Sequence, residues 1–219
     1  MDSHDPMEIY HRLSKRFGDL KWWPADSPFE VMVGAVLTQQ TNWKNVEISI
    51  SNLKNADLLN INPLASASLG TIRKCIKPSG FYKQKTQRIK NLARFLVDNY
   101  EADLNKFFQK DADTQRKELL SLKGIGPETA DSILLYADSK LKFVVDAYTF
   151  RIFKRLGLNF QDNYEKAQEF FENRLSKDLY LYRNFHALLV ELGKNHCKIK
   201  PICHDCPLFD CCTFHQNLK

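Results

Sequence analysis

The chain has 219 residues, 43% of them hydrophobic, enough to bury one good core, or two small lobes sharing a cleft, without cross-links. No stretch approaches the roughly 20 consecutive apolar residues of a membrane span, and Met1 to His11 is too polar for a secretory signal, so an intracellular, cytoplasmic protein without membrane contact is expected. The net charge of +6, from 32 Lys and Arg against 26 Asp and Glu, favours a polyanionic partner without requiring one.

In chain order the sequence reads as a succession of amphipathic helices with short polar breaks. No alternating run marks a strand, so the predicted class is all-α. Beyond an N-terminal helix, Pro24, Asp26, Ser27 and Pro28 supply a loop and a start signal for a helix whose face carries Phe29, Val33, Val36 and Leu37. Residues 43 to 54 form the next helix. A break at Asn60 to Pro63 precedes a short helix, Lys77-Pro78-Ser79-Gly80 is a turn, and Gln84 to Tyr100 sets Ile89, Leu92, Phe95 and Leu96 at helical spacing. Leu104 to Leu122 holds one or two more helices. After Gly126, the positions Ala130, Ile133, Leu134 and Ala137 make a buried stripe. Later helices cover about 146 to 156, 164 to 176 and 179 to 193.

Three segments carry chemistry. Leu122-Lys123-Gly124-Ile125-Gly126-Pro127-Glu128-Thr129-Ala130 joins two helices through two glycines, with Pro127 where a first helical residue tolerates proline. Such a turn presents backbone N–H groups at a helix start, where the dipole favours a phosphate, although an ordinary helix-helix turn has the same form. Asp146, before Ala147-Tyr148-Thr149, can cap a helix, and its carboxylate can also stabilise positive charge on a reacting sugar; the two roles can coexist. Five of the six cysteines lie between Cys197 and Cys212, while Cys75 stands alone. In a reducing compartment such a cluster suggests a metal centre, not disulfides. Cys197, Cys203, Cys206 and Cys212 give C-x5-C-x2-C-x5-C, and four thiolates can hold a [4Fe–4S] cluster or a zinc ion.

Together, Leu37-Thr38-Gln39-Gln40-Thr41, Gly80-Phe81-Tyr82, the hairpin, Val144-Val145-Asp146 and the cysteines resemble the helix-hairpin-helix DNA glycosylase superfamily of the endonuclease III-like kind. The resemblance runs nearly end to end. It implies two helical lobes, 28 to 140 and 1 to 27 plus 141 to 219, with duplex DNA across the cleft between them, and a monomer. It implies a [4Fe–4S] cluster held by Cys197, Cys203, Cys206 and Cys212 in a loop at 197 to 212, although the family's first cysteine interval is one residue longer and Cys211 stands beside Cys212. Lys194, Lys198 and Lys200 beside that loop are expected to face phosphates.

In the bifunctional branch the second residue after the hairpin's last glycine is a lysine that forms a Schiff base; here it is Glu128. In the adenine-mismatch branch a catalytic Glu stands four residues before the Gln-Gln-Thr segment, where this chain has Ala35. Glu128 and Trp22-Trp23-Pro24 are similar to the 3-methyladenine glycosylase branch. The resemblance therefore implies a monofunctional enzyme with Asp146 catalytic, and with Trp22, Trp23, Trp43 and Glu128 holding a cationic alkylated purine by stacking, cation–π attraction and charge. For each tryptophan, burial in the core is the competing reading. The resemblance also assigns Gln39 and Gln40 to fill the gap left by the flipped base and Phe81 to act as a wedge. Lys123, Gly124, Ile125, Gly126 and Thr129 are assigned to bind the backbone. The alternatives are a bifunctional glycosylase/lyase on oxidised pyrimidines and a non-catalytic DNA-binding iron–sulfur protein.

Overall fold

The computed structural model describes residues 5–216, and among them the elements are thirteen α-helices and two 3-10 turns, with no strand. The all-α expectation is met. In chain order the helices are α1 (Pro6–Phe17), α2 (Pro28–Leu37), α3 (Trp43–Asn55), α4 (Ile61–Ser66), α5 (Leu69–Ile76), α6 (Tyr82–Tyr100), α7 (Leu104–Phe108), α8 (Ala112–Ser121) and α9 (Pro127–Ala137). They continue with α10 (Ala147–Leu156), α11 (Tyr164–Arg174), α12 (Leu179–Asn195) and α13 (Thr213–Gln216), with 3-10 turns at Lys77–Ser79 and Phe209–Cys211.

The chain divides into two compact units, Ala25–Lys140 and Met1–Pro24 with Leu141–Lys219. In the first, α2 is the central helix: Phe29 through Leu37 are all buried, with α9, α6 and α3 packed around it. A helix apolar on every side belongs in this central place. Around it α4 lies on α6, α3 on α5 and α8 on α9. In the second unit α12 is the spine and packs against α1 and α10. Its core is aromatic: the Phe143 and Phe171 rings stack at 4.5 Å, and Phe153 meets Phe171 edge-on at 4.8 Å. Such pairs contribute about 0.5–1.5 kcal/mol each beyond the area they bury.

Most helices begin where a short polar side chain caps them. Asp5, Ser27, Asn42, Ser68, Asp111, Asp146, Asn163 and Asp178 each accept from a backbone N–H in the first turn. Among the described helices of eight residues or more, two lack a side-chain cap: α6, which starts after Phe81, and α9, which starts after Gly126.

Two boundaries differ from expectation. The break at Asn60 to Pro63 is instead the first turn of α4, because a proline there forfeits an N–H that has no partner inside the helix anyway. Helix α6 begins at Tyr82, ahead of Gln84, because Gly80 and Phe81 both take positive φ and turn the chain directly into it.

Candidate functional site

In the Ala25–Lys140 unit, α8 and α9 are joined by the hairpin. Ile125 is buried and its N–H donates to Leu122 O at 3.0 Å, which closes the turn. The Ile125 N–H is therefore engaged within the protein, whereas among the described residues none accepts from the Gly124 or Gly126 N–H. Pro127 is the first residue of α9 and Gly126 has no side chain to cap it, so this helix start is open to an outside acceptor. Lys123 and Glu128 are exposed and Thr129 is buried.

Gly124 has φ +90°, and a Cβ built there would stand 2.2 Å from Arg88 Nε. That close approach belongs to a bracket behind the hairpin. Gln39 Nε2 donates to Gly124 O at 3.0 Å and to Thr129 Oγ1 at 2.9 Å, while Arg88 Nη1 donates to Gln39 Oε1. All of the Gln39 amide is engaged in holding α2's end against the hairpin. Its neighbour Gln40 is exposed with φ +53°, and Phe81, φ +43°, is 59% exposed at the start of α6. Trp43 is the first residue of α3 and half-buried.

In the other unit, Asp146 caps α10. Its Oδ1 accepts from the Thr149 N–H at 2.7 Å and from Thr149 Oγ1 at 2.8 Å, so the side chain is fixed by its own helix. The second oxygen, Oδ2, faces His186 Nε2 at 3.9 Å. Burial pushes the His186 pKa down, against the opposing pull of the Asp146 charge, which favours the uncharged imidazole. Asp146 is thus rigid, 93% buried and beside the His186 ring, which suits a group that must present charge in a fixed direction. Nothing near Asp146 in the chain announces His186, which lies on the distant α12.

The Trp22 and Trp23 rings are 5.5 Å apart and tilted, and both are half-buried. Lys194, on α12, places its ammonium 5.4 Å from the Trp22 ring centre, within cation–π reach.

Helix α10 also holds the cysteine loop. Arg151 donates to Cys197 O at 2.7 Å and Gly193 O at 3.2 Å, and Arg155 donates to Lys198 O, to Ile199 O and to Cys197 Sγ at 3.2 Å. Cys197, Cys203, Cys206 and Cys212 line one cavity together with Arg155, His196 and Phe214; Cys211 is not among its walls. Burial pushes the Cys206 thiol up to about 11, with the neighbouring sulfurs adding to the shift. Among the described residues no group of three or more His, Cys, Asp or Glu side chains stands in an arrangement that holds a metal ion.

Residues 33–177 match the family described as HhH-GPD superfamily base excision DNA repair protein. The chain is 46% identical over 208 residues to a Methanocaldococcus jannaschii protein carrying a provisional DNA repair glycosylase name, covering 94% of each. It is 31% identical over 211 residues to endonuclease III of Thermotoga maritima, covering 96% of this chain and 93% of that one. Among solved structures, the Helicobacter pylori 3-methyladenine DNA glycosylase bound to 1,N6-ethenoadenine superposes with a TM-score of 0.75 at 33% identity, over 87% of this chain and 97% of that one. A non-covalent endonuclease III–DNA complex superposes with a TM-score of 0.84 at 23% identity over 100% of this chain and 98% of that one, which shows the shared fold. The fold is that of the endonuclease III class. The chain belongs to the HhH-GPD superfamily of base excision DNA repair proteins and is a DNA glycosylase of that type.

Proposed function

We propose that the protein is a monofunctional glycosylase, hydrolysing the N-glycosidic bond of a flipped alkylated purine such as 3-methyladenine and leaving the abasic strand uncut. The observation that carries this reading is Glu128. It stands exposed in the first turn of α9, where the bifunctional branch carries its Schiff-base lysine, in a chain 33% identical to a 3-methyladenine glycosylase structure. A carboxylate cannot form an imine. The sugar's developing positive charge is instead met by Asp146, whose fixed carboxylate stabilises it and orients the attacking water.

The hairpin supplies the grip on DNA: the Gly124 and Gly126 N–H groups and the uncapped start of α9 take a phosphate, with Lys123 adding charge. Phe81 enters the stack as the wedge and Gln40 fills the space vacated by the base. Gln39 serves from behind, by bracing the hairpin. Trp22, Trp23, Trp43 and Glu128 are assigned to the cationic base; aromatic faces and a carboxylate favour a positively charged purine over a neutral one. Incubation with a lesion-bearing duplex is expected to yield abasic strands without nicks and no adduct trapped by borohydride. A trapped adduct or a nick would return the protein to the lyase branch, with Lys123 the first lysine to test.

Cys197, Cys203, Cys206 and Cys212 are assigned to a [4Fe–4S] cluster. What supports this is their shared cavity, which Cys211 does not line, and the Arg155 guanidinium that donates to the Cys197 sulfur. Four cysteines lining one cavity are the donor set that a [4Fe–4S] cluster takes. The cluster would staple the loop to α10, a structural and not a redox contribution. Cys212→Ser is expected to lose iron and the iron–sulfur absorbance, whereas Cys211→Ser keeps both; the reverse pattern would make Cys211 the fourth ligand.

A further inference from the structure

Lys85 lies in the first turns of α6 and is 1% exposed. Its ammonium donates to Leu37 O at 2.8 Å and to Ser79 O at 2.7 Å. Among the described residues no carboxylate pairs with it. Burial pushes its pKa down to about 8, and Arg88 adds to the shift. A cation taken out of water without a counter-ion is costly, and an apolar side chain of the same length would pack as well. What the charge gains is two backbone carbonyls, each at a helix C-terminus: Leu37 ends α2 and Ser79 ends the 3-10 turn.

Those carbonyls lie three residues and two residues before two exposed residues of positive φ, Gln40 and Phe81. Beyond Leu37 the chain runs through Thr38 and Gln39 to Gln40, and beyond Ser79 it runs through Gly80 to Phe81. We propose that Lys85 is a positioning residue for base extrusion, which pins the ends of α2 and the 3-10 turn to one point and so fixes the spacing between Gln40 and Phe81. This rests on the assignment of those two residues as gap filler and wedge. Lys85 is assigned no contact with the nucleic acid; it acts through the two protein carbonyls. The same ammonium explains why α6 starts without a side-chain cap yet in a defined place, since Ser79 is held from inside the fold.

The test uses a duplex with one 1,N6-ethenoadenine and a neighbouring 2-aminopurine, whose fluorescence rises when the stack opens, and a matched duplex with an abasic site, where no base must be extruded. Lys85→Met keeps the length and removes the donor. It is expected to cut the fluorescence rise and weaken lesion binding by about tenfold, while abasic-site binding changes by less than about threefold. In a Phe81→Ala background, adding Lys85→Met is expected to change lesion binding by less than about twofold, because the wedge it would position is gone. Lys85→Gln, with one donor group kept, is expected to lie between wild type and Lys85→Met. Equal loss on both duplexes, a full further loss in the Phe81→Ala background, or failure of both Lys85 variants to fold would make Lys85 a general stability residue and overturn the proposal. No fluorescence rise with the wild-type protein would overturn the wedge assignment first, whatever the Lys85 variants do.

Discussion

Asp146→Asn is expected to fold like the wild type, to bind lesion-bearing duplex, and to release base about 10²- to 10⁴-fold more slowly. The capping role of Asp146 and its proposed catalytic role use different features of the side chain. The cap needs only an acceptor at Oδ1, which serves the Thr149 N–H and hydroxyl, and an asparagine oxygen supplies it. Catalysis needs the negative charge, which the amide lacks. Asp146→Ala loses both and is expected to lower stability by about 0.5–2 kcal/mol in addition. Single-turnover base release and thermal melting on the three proteins separate the effects. If Asp146→Asn kept full activity, the carboxylate would be a cap alone and the non-catalytic reading of this residue would hold.

The second large effect is expected at the hairpin. Gly124→Ala places a methyl group 2.2 Å from Arg88 Nε on a backbone with φ +90°, a conformation that costs an L-residue about 1–2 kcal/mol before any clash. Arg88 cannot simply swing away, because Nη1 holds Gln39 and Nη2 reaches Gln84 at 3.3 Å. Displacing it releases Gln39, and Gln39 is what ties α2 to Gly124 O and Thr129 Oγ1. The expected outcome is a loss of about 2–4 kcal/mol of stability and at least tenfold weaker duplex binding. Gly126 provides the internal control. Its φ is −99° and a Cβ there meets nothing within 4 Å, so Gly126→Ala is expected to leave stability within about 0.5 kcal/mol. A large fall in melting temperature for Gly126→Ala, or none for Gly124→Ala, would contradict the bracket.

What could be read from the sequence was local. Caps such as Ser27, Asn42 and Asp146 announce their helices because the capping oxygen and the N–H it meets are three residues apart. The all-α class followed from the same signals. Two starts without a side-chain cap differ from the expected bounds: α6 is set by the left-handed turn at Gly80 and Phe81 and by Lys85, and α4 begins before its own proline, whereas Gly126-Pro127 announces the uncapped α9.

Non-local contacts left no trace in the sequence. Gln39 and Gln40 are alike on paper, yet Gln39 faces inward to the hairpin and Gln40 outward, a difference made by Arg88 and Thr129 from other helices. Lys85 and Lys90 fall on α6 where a charged residue reads as solvent-facing; both are buried because carbonyls from earlier segments, Leu37, Ser79 and Ala67, receive them. His186 beside Asp146 and Lys194 over Trp22 have the same origin: α12 is distant in sequence and adjacent in space.

Removal of alkylated purines is the activity proposed for this helix-hairpin-helix glycosylase. Duplex DNA treated with a methylating agent, incubated with the protein and resolved by chromatography of the released free bases, tests it most directly. Free 3-methyladenine is expected in the supernatant, with the Asp146→Asn sample at background. Release of oxidised pyrimidines from a parallel oxidised duplex, with no methylated purine from the first, would contradict it.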